Sequence, residues 1–406
     1  MVTPVHKKGN RSDVDNYRPV AQGPIPCIIL EKLIVDHLNA YLQLNSLLDP
    51  HQHGFTAGRS TSTQLVEMTH AWANFINEKT DFACVYFDLS KAFDRVSHSL
   101  LLSKLRCLGV DSKTLGWIES YLSGRSFRVK IGSTRSQLYP ASSGVPQGSV
   151  LGPLLFNLFV RDISRVIPST VTYKLYADDL KLFGPVSPAG CIDLQRAIDA
   201  VELWCSQNSM LLSSGKCAVL SSCDLVRPFR LAGAPLPCVP RFRDLGVIMD
   251  PGLKFSSHLT SVIKSAAVVV NMVFRCFVVK SPDFYLHLYK SLVLPKLTYC
   301  SEVWRPYLSS DLRALENVQR RFLRRVSMRC SVSPDSLSLP PLTDLFDRAD
   351  RRLFDRLSLL ESFDTMFSIT ENARRSGTLT EAKSRARTDV VNNSYVWRFA
   401  RSTRRA

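Results

Sequence analysis

Runs of apolar residues alternate along the chain with polar, Gly- and Pro-rich stretches, which predicts a mixed α and β protein. "CIILEKLIVDHLNAYLQ" and the Ser/Thr-capped "GRSTSTQLVEMTHAWANFINE" both have helical spacing of their apolar residues. "DFACVYFDLS" is rich in β-branched and aromatic residues and predicts a strand that ends near Asp88. In "VTYKLYADDLKLF" the apolar residues flank two adjacent acids, which predicts a hairpin with Asp178 and Asp179 at its tip.

After Pro185 the chain is predicted to be mainly helical, interrupted by short strands in "FRLAGAPLPCVPRFRDLGVIMD". "SSGVPQGSVLGPLLFNLFV" predicts a Gly/Pro loop followed by a buried helix. "DLRALENVQRRFLRRVSM" places five apolar residues near one helical face: Leu312, Leu315, Val318, Phe322 and Val326. Its other surface is either a solvated face or a basic binding surface, and it carries Arg320, Arg321, Arg324 and Arg325. Residues 373–406 are Arg-rich and weakly patterned, which predicts a partly disordered basic tail.

The charge of the chain favours a polyanionic partner. The 406 residues include 52 Lys and Arg against 35 Asp and Glu, for a net charge of +17. Nucleic acid and an anionic membrane surface both fit such a charge. The cysteines show no CxxC pair or zinc spacing, which indicates a reducing compartment. No segment is expected to span a bilayer and no signal peptide is visible, so an intracellular, soluble protein without a membrane partner is expected.

The acidic residues are candidates for metal-assisted phosphoryl transfer. Such chemistry uses two divalent ions about 3.5–4 Å apart. Mg²⁺ takes few protein ligands and prefers carboxylates, so Asp88 at a strand end beside a hairpin presenting Asp178 would suffice. Taken alone, "YADD" is equally a polar turn and "FDLSKAFD" a strand end followed by a helix start. Their order along the chain, with "GVPQGSVLGPLLF" between them, is far more specific than either motif.

Together these motifs resemble the palm motifs of reverse transcriptases. "FDLSKAFDRV", "SSGVPQGSVLGPLLFNLFV" and "YADD" are most similar to those of non-LTR retrotransposons of the jockey or LINE type. "PVHKKGNRSDVDNYRPV" and "HQHGFTAGRSTSTQL" resemble the fingers motifs of the same family. The resemblance implies an α+β right-hand polymerase fold with an antiparallel palm sheet. Its implied parts are fingers at 1–80, palm at 81–257, helical thumb at 258–330, and a helical extension with a basic tail at 331–406.

The resemblance implies an RNA-directed DNA polymerase whose partners are an RNA template, a DNA primer and dNTPs. It assigns three carboxylates to catalysis and to two Mg²⁺ ions, with Mn²⁺ as a substitute: Asp88, Asp178 and Asp179. Lys216 would protonate the leaving pyrophosphate. The nucleotide would be bound by Lys7, Lys8, Arg18, Phe93, Gln147 and Gly148. The Phe93 ring would lie under the incoming sugar and exclude a 2′-hydroxyl, so the product would be DNA.

Further roles follow from the same resemblance. Leu245 and Gly246 fall where the family positions the primer end, and the basic helix Arg320 to Arg325 would follow the template–primer backbone. Nuclear action is implied by the family alone. The oligomeric state is not predicted by any of these motifs.

The chain also departs from the family pattern. Relatives usually carry further N-terminal reverse-transcriptase sequence and commonly an endonuclease domain, so an N-terminally truncated copy is expected. The prolines in "NYRPVAQGPIPC" are expected to disturb the approach to the next helix. Two other functions stay open. One is an inactive remnant that only binds RNA, and the other is an RNA-templated RNA polymerase, against which Phe93 and Tyr176 count.

Overall fold

The computed structural model describes residues 1–7, 9–371, 378–382 and 386–405, so Lys8 lies outside the described residues. The strands are β1 (Val2–His6), β2 (Tyr17–Ala21), β3 (Phe82–Asp88), β4 (Ser126–Phe127), β5 (Lys130–Ile131), β6 (Thr134–Arg135), β7 (Tyr139–Pro140), β8 (Thr172–Tyr176), β9 (Asp179–Pro185), β10 (Ala218–Ser221), β11 (Arg230–Leu231), β12 (Ala234–Pro235), β13 (Phe242–Asp244), β14 (Val247–Met249), β15 (Phe367–Glu371) and β16 (Thr378–Ala382).

The helices predominate after Pro185, as the sequence predicts, and short strands fall in the predicted interruption. The helices are α1 (Ile25–Leu44), α2 (Thr61–Glu78), α3 (His98–Cys107), α4 (Ser112–Leu122), α5 (Gly152–Val160), α6 (Pro188–Gln207), α7 (Ser256–Cys276), α8 (Pro282–Leu288), α9 (Leu294–Thr298), α10 (Ser301–Trp304), α11 (Ser309–Cys330), α12 (Leu342–Leu357), α13 (Phe363–Met366), α14 (Asp389–Asn393) and α15 (Tyr395–Arg405). Short 3₁₀ turns include Ala92–Arg95 and Ser214–Lys216.

The described residues divide into two compact units. Unit 1 comprises Met1–Ala57, Ala83–Val219 and Leu225–Cys238. Unit 2 comprises Gly58–Phe82, Leu220–Asp224 and Val239–Ala406. The division into fingers, palm, thumb and extension stays a prediction.

Unit 1 is built on a four-stranded sheet of order β10-β3-β9-β8. Strand β3 is buried along its length except at Asp88, so its apolar residues run on without alternation. Strands β8 and β9 form the antiparallel hairpin that the sequence predicts, with Tyr176 opposite Asp179. Asp178 therefore lies in the two-residue turn, whereas Asp179 begins the second strand. Strand β9 is thereby the direct neighbour of β3, which ends at Asp88.

Helix α5 confirms the predicted buried helix after the Gly/Pro loop. Its residues Leu155, Phe156 and Phe159 are fully buried and belong to the core of unit 1. The two N–H groups directly before this helix are paired from another helix. Glu31, a buried carboxylate of α1, accepts from Val150 N at 2.7 Å and from Leu151 N at 3.1 Å. This charge at the helix start also complements the helix dipole.

The prolines before α1 do not break that helix. Pro24 occupies the N-cap position, and the next proline lies in the first turn. Proline is tolerated there because the first N–H groups of a helix have no intrahelical acceptor. Both prolines therefore fit the start of α1, and the expectation that they disturb the approach to this helix is not confirmed.

Unit 2 is mainly helical, and α11 is its clearest amphipathic element. Four of the five predicted face residues are buried, namely Leu315, Val318, Phe322 and Val326. The helix packs against α7. Arg325 donates to Asn271 Oδ1 at 2.7 Å and lies over the Phe274 ring at 4.3 Å. The other three arginines of the basic surface are exposed.

Helix α7 has 21 residues and contains an 18-residue window of mean hydropathy 1.4, which by length and composition is enough to cross a membrane. The expectation that no segment is long and apolar enough was therefore wrong on this point. Its length was missed because polar residues interrupt the apolar run in the sequence. Within unit 2 one face of α7 is buried, including Leu259, Ala266 and Val273.

Within the C-terminal stretch 373–406, the described residues form a strand and two helices. Strand β16 pairs with β15, and α14 and α15 follow. Apolar side chains anchor these two helices: Val391, Tyr395, Val396, Trp397, Phe399 and Ala400 are buried. The arginines that interrupt these positions hide their helical spacing. Residues 373–377, 383–385 and 406 of the predicted tail lie outside the described residues.

Candidate active site

Two carboxylates meet at one end of the unit 1 sheet. Asp88 is the last residue of β3, and Asp178 lies in the turn between β8 and β9. Burial raises the pKa of the Asp178 carboxyl above its usual range, and the nearby Asp88 carboxylate raises it further. The two charges therefore interact directly. Asp179 is exposed at the start of β9, so the adjacent acids have unequal surroundings.

Lys216 supplies a positive charge to this pair. Its Nζ donates to Asp88 Oδ2 at 3.0 Å. The lysine reaches Asp88 because residues after α6 run alongside the end of β3: Ser90 N donates to Leu211 O, and Ser213 N donates to Asp88 O at 2.8 Å. The 3₁₀ turn Ser214–Lys216 then carries the side chain across.

The predicted cations of the N-terminal hairpin also act on Asp178. Strands β1 and β2 pair antiparallel with Val5 opposite Arg18, and Lys7 N donates to Asn16 O at 2.8 Å. Arg18 and Lys7 both act to lower the pKa of Asp178, against the effect of burial. Their side chains are exposed and hence open to an anionic ligand. Nothing is described for Lys8.

The loop of Gln147 and Gly148 is held on both sides. Ala21 N of β2 donates to Gln147 O at 2.7 Å. Gly148 has φ of +100°, and a Cβ there would lie 2.7 Å from Ala21 O, so a side chain would not fit. Gln147 Nε2 donates to Asp94 Oδ1 at 2.9 Å.

Asp94 is a site residue that the sequence reasoning missed. It is half-buried, and burial raises the pKa of its carboxyl, while the hydrogen bond from Gln147 lowers it. Gly144, just before the Gln147 loop, approaches the Asp94 backbone so closely that a Cβ would lie 2.8 Å away. The only sequence signal was its place directly after Phe93 in "KAFD". Its hydrogen-bond partner is 53 residues away and left no local pattern.

Phe93 lies in the 3₁₀ turn Ala92–Arg95 and is half-buried. Its ring stacks on Phe156 of α5 with centroids 4.3 Å apart and planes at 12°. Phe55 contacts the same ring edge-on at 6.2 Å. Two aromatic neighbours thus restrict how far the Phe93 ring can turn, while one part of it stays accessible.

The sequence profile described as reverse transcriptase (RNA-dependent DNA polymerase) matches residues 5–249 of this chain. These residues include the two carboxylates, the cations that act on them, the glutamine loop and Phe93. The chain belongs to the reverse transcriptase family. The resemblance inferred from the sequence motifs is thereby confirmed, as is the right-hand polymerase fold class.

Individual relatives of this chain come from mobile elements. The RNA-directed DNA polymerase from mobile element jockey of Drosophila funebris is 28% identical over 367 residues, which cover 85% of this chain and 40% of that protein. The probable RNA-directed DNA polymerase from transposon BS of Drosophila melanogaster is 27% identical over 379 residues, covering 87% and 41%. The chain therefore spans about two fifths of the length of these curated relatives.

Among solved structures, the apo telomerase from Candida tropicalis aligns with a TM-score of 0.45 at 10% identity. The alignment covers 81% of this chain and 54% of that chain.

The remaining predicted residues of this chain lie in unit 2. Leu245 and Gly246 form the turn between β13 and β14, where Gly246 has φ of +89°. Tyr299 Oη donates to Leu245 O at 2.8 Å and holds that turn. The roles assigned to these residues and to the α11 arginines stay predictions.

Proposed function

We propose that this chain is an RNA-directed DNA polymerase that extends a primer 3′ end with dNTPs on an RNA template, as part of a non-LTR retrotransposon protein. The observation that carries the proposal is the interacting pair Asp88 and Asp178 with Lys7 and Arg18 acting on it. Membership of the reverse transcriptase family supports the same reaction. The relatives named as polymerases of mobile elements support the retrotransposon origin.

The donor set fits divalent metal ions, which reverse transcriptases use. The Asp178 carboxyl is desolvated by burial and repelled by the Asp88 carboxylate, so it is costly to keep ionised without a cation. Lys216 already contributes one positive charge at 3.0 Å from Asp88. In the described part of the chain no three His, Cys, Asp or Glu side chains cluster around a common point. Mg²⁺ does not need such a cluster, because waters and substrate phosphates complete its coordination.

Asp88 and Asp178 would hold two Mg²⁺ ions, or Mn²⁺ in their place, with Asp179 as a supporting carboxylate. Bound there, the ions supply activation of the primer hydroxyl and neutralisation of the triphosphate charge. The residues of the chain contribute the rest. Lys7 and Arg18 bind the triphosphate, because cations offset its charge in phosphoryl transfer. Lys216 carries the proton that the departing pyrophosphate takes up.

Primer extension on an RNA template tests the proposal. We expect DNA synthesis from dNTPs that requires Mg²⁺ or Mn²⁺ and stops on chelation. We also expect binding of an RNA–DNA hybrid to weaken steeply with salt, since a chain of net charge +17 releases counterions from the phosphates it contacts. Hybrid binding without incorporation in either metal ion would instead favour an inactive remnant. Efficient use of ribonucleotides with little use of dNTPs would favour an RNA polymerase.

Phe93 should select deoxyribonucleotides. In Phe93→Val the ring that stacks on Phe156 is lost, so space opens for a 2′-hydroxyl. We expect the preference for a dNTP over the matching ribonucleotide to fall by about 10- to 100-fold. This factor corresponds to the free energy that a steric clash between the ring and a 2′-hydroxyl costs. The measurement is kcat/KM for both nucleotides on one primer–template.

The conservative variant Phe93→Tyr keeps the ring and serves as the control. It should retain the wild-type preference for dNTPs. An unchanged preference in Phe93→Val, with normal dNTP kinetics, would show that another residue selects the sugar.

A further inference from the structure

The turn that carries Asp178 is held by a side chain from a distant segment. Gln52 is only 4% exposed, and its Oε1 accepts from Ala177 N at 2.9 Å. The same oxygen accepts from Gly54 N at 2.8 Å, and Nε2 donates to Ala177 O at 3.4 Å. One carboxamide thus contacts both the N–H and the C=O of the residue that directly precedes Asp178.

The turn needs such external support because its own sequence does not favour its conformation. Ala177 has φ of +56°, in the left-handed region that a residue with a Cβ rarely adopts. Glycine is the usual residue at the first central position of a two-residue hairpin turn with positive φ. With alanine there, relaxation of the turn would carry the Asp178 backbone with it.

The backbone around Gln52 is hydrogen-bonded to β8, the strand that leads into this turn. His53 N donates to Leu175 O at 2.8 Å, and Leu175 N donates to His51 O at 3.0 Å. Gly54 approaches the turn so closely that a Cβ would lie 2.4 Å from Ala177 N. Asn157 Nδ2 of α5 donates to Gly54 O at 2.8 Å and ties the segment to the core. The carboxamide is therefore presented from a rigid support.

We infer that Gln52 is a positioning residue for Asp178: it holds the Ala177 peptide so that the Asp178 carboxylate faces Asp88. This inference rests on the proposed function in so far as it concerns metal ions and catalysis. An amide is required because the position needs an acceptor for two N–H groups and a donor for one C=O. A glutamate there would accept the two N–H groups, but would face Ala177 O without a proton and add a negative charge near the carboxylate pair.

The test compares Gln52→Met with wild type. Methionine has a similar length and volume, so the core stays filled while all three hydrogen bonds are lost. Gln195→Met is a matched control, because Gln195 also pairs with both backbone groups of one residue: Oε1 accepts from Arg230 N and Nε2 donates to Arg230 O, each at 2.9 Å. Gln195 belongs to α6 and its partner to β11, outside the turn.

Three measurements are made on the full chain: amide hydrogen exchange of residues 175–179, Mn²⁺ binding to the free protein by electron paramagnetic resonance, and steady-state kcat and KM. In Gln52→Met we expect faster exchange in the turn and about 10- to 100-fold weaker Mn²⁺ binding, the usual effect of removing a group that orients a metal ligand. The kcat value should fall by a similar factor while KM for the primer–template stays unchanged. Gln52→Glu should show the same direction of change. Gln195→Met should match wild type in all three measurements.

The inference would be overturned if the turn in Gln52→Met exchanged its amide hydrogens at the wild-type rate. It would also be overturned if Gln195→Met lost as much Mn²⁺ affinity as Gln52→Met. If the wild-type chain neither binds Mn²⁺ nor extends a primer, the proposed function fails. Hydrogen exchange then decides alone whether Gln52 orders the turn. If Gln52→Met does not fold, Gln52→Glu provides the same comparison with an isosteric side chain.

Discussion

Replacing Asp178 with asparagine is expected to reduce primer extension by about 10³-fold. The variant keeps the shape of the side chain but removes one of two carboxylates that would hold the metal ions, and stabilisation of charge by a bound ion is worth several kcal/mol. Activity is measured as dNTP incorporation on an RNA template with saturating Mg²⁺. Asp179→Asn should cost much less, because Asp179 is exposed on β9 rather than placed in the turn.

Stability separates a catalytic role of Asp178 from a structural one. Its pKa is raised in the folded protein by burial and by Asp88, so the ionised side chain opposes folding near neutral pH. This penalty is present above the folded-state pKa and disappears as pH falls below the unfolded value. Asp178→Asn should therefore leave Tm unchanged or higher while activity is lost. Near-wild-type activity in this variant would contradict the proposed site.

The largest expected effect on stability is that of Asp350→Ala in unit 2. The Asp350 side chain is 8% exposed, and its carboxylate accepts from Arg398 Nη2 at 2.9 Å and from Arg305 Nη1 at 2.9 Å. Removing it takes the buried carboxylate partner from the Arg398 guanidinium and leaves Arg305 paired with the more exposed Asp347. Breaking a buried ion pair in this way costs about 3–5 kcal/mol.

Asp347 offers the control for that variant. It also pairs with Arg305, at 2.6 Å, but its side chain is 51% exposed. Asp347→Ala should cost less than about 1 kcal/mol, since solvent screens an exposed pair. The measurement is the denaturant midpoint, with hydrogen exchange of α12 and α15 to locate the change. Equal losses in the two variants would show that burial of Asp350 is not what makes its pairs important.

The sequence predicted the strands on either side of the candidate carboxylates. The continuous apolar run before Asp88 and the apolar flanks of "YADD" are local patterns, and strands β3, β8 and β9 follow them. Local signals also placed the Ser60 cap of α2, which the structure confirms through a reciprocal Ser60–Thr63 capping box. Such features can be predicted from the sequence because the interacting residues are neighbours in the chain.

The terminal helix α15 was not predicted from the local sequence pattern. Residues 395–405 were expected as part of a weakly patterned tail, yet Arg398 of α15 pairs with Asp350 of α12, 48 residues away. A basic residue that completes a buried ion cluster has the same local appearance as one in a solvated tail. Only its acidic partner tells the two apart.

By itself, the sequence determined the family, the strand that ends at Asp88 and the hairpin that carries Asp178, because residue types at short spacing encode these features. The tertiary structure alone decided that the two adjacent acids differ in burial, that Asp94 binds Gln147, and that Gln52 holds Ala177 from 125 residues away. The physical reason is that hydrogen bonds and desolvation depend on which distant segments meet in space. Contacts between distant segments produce no periodic pattern in the sequence.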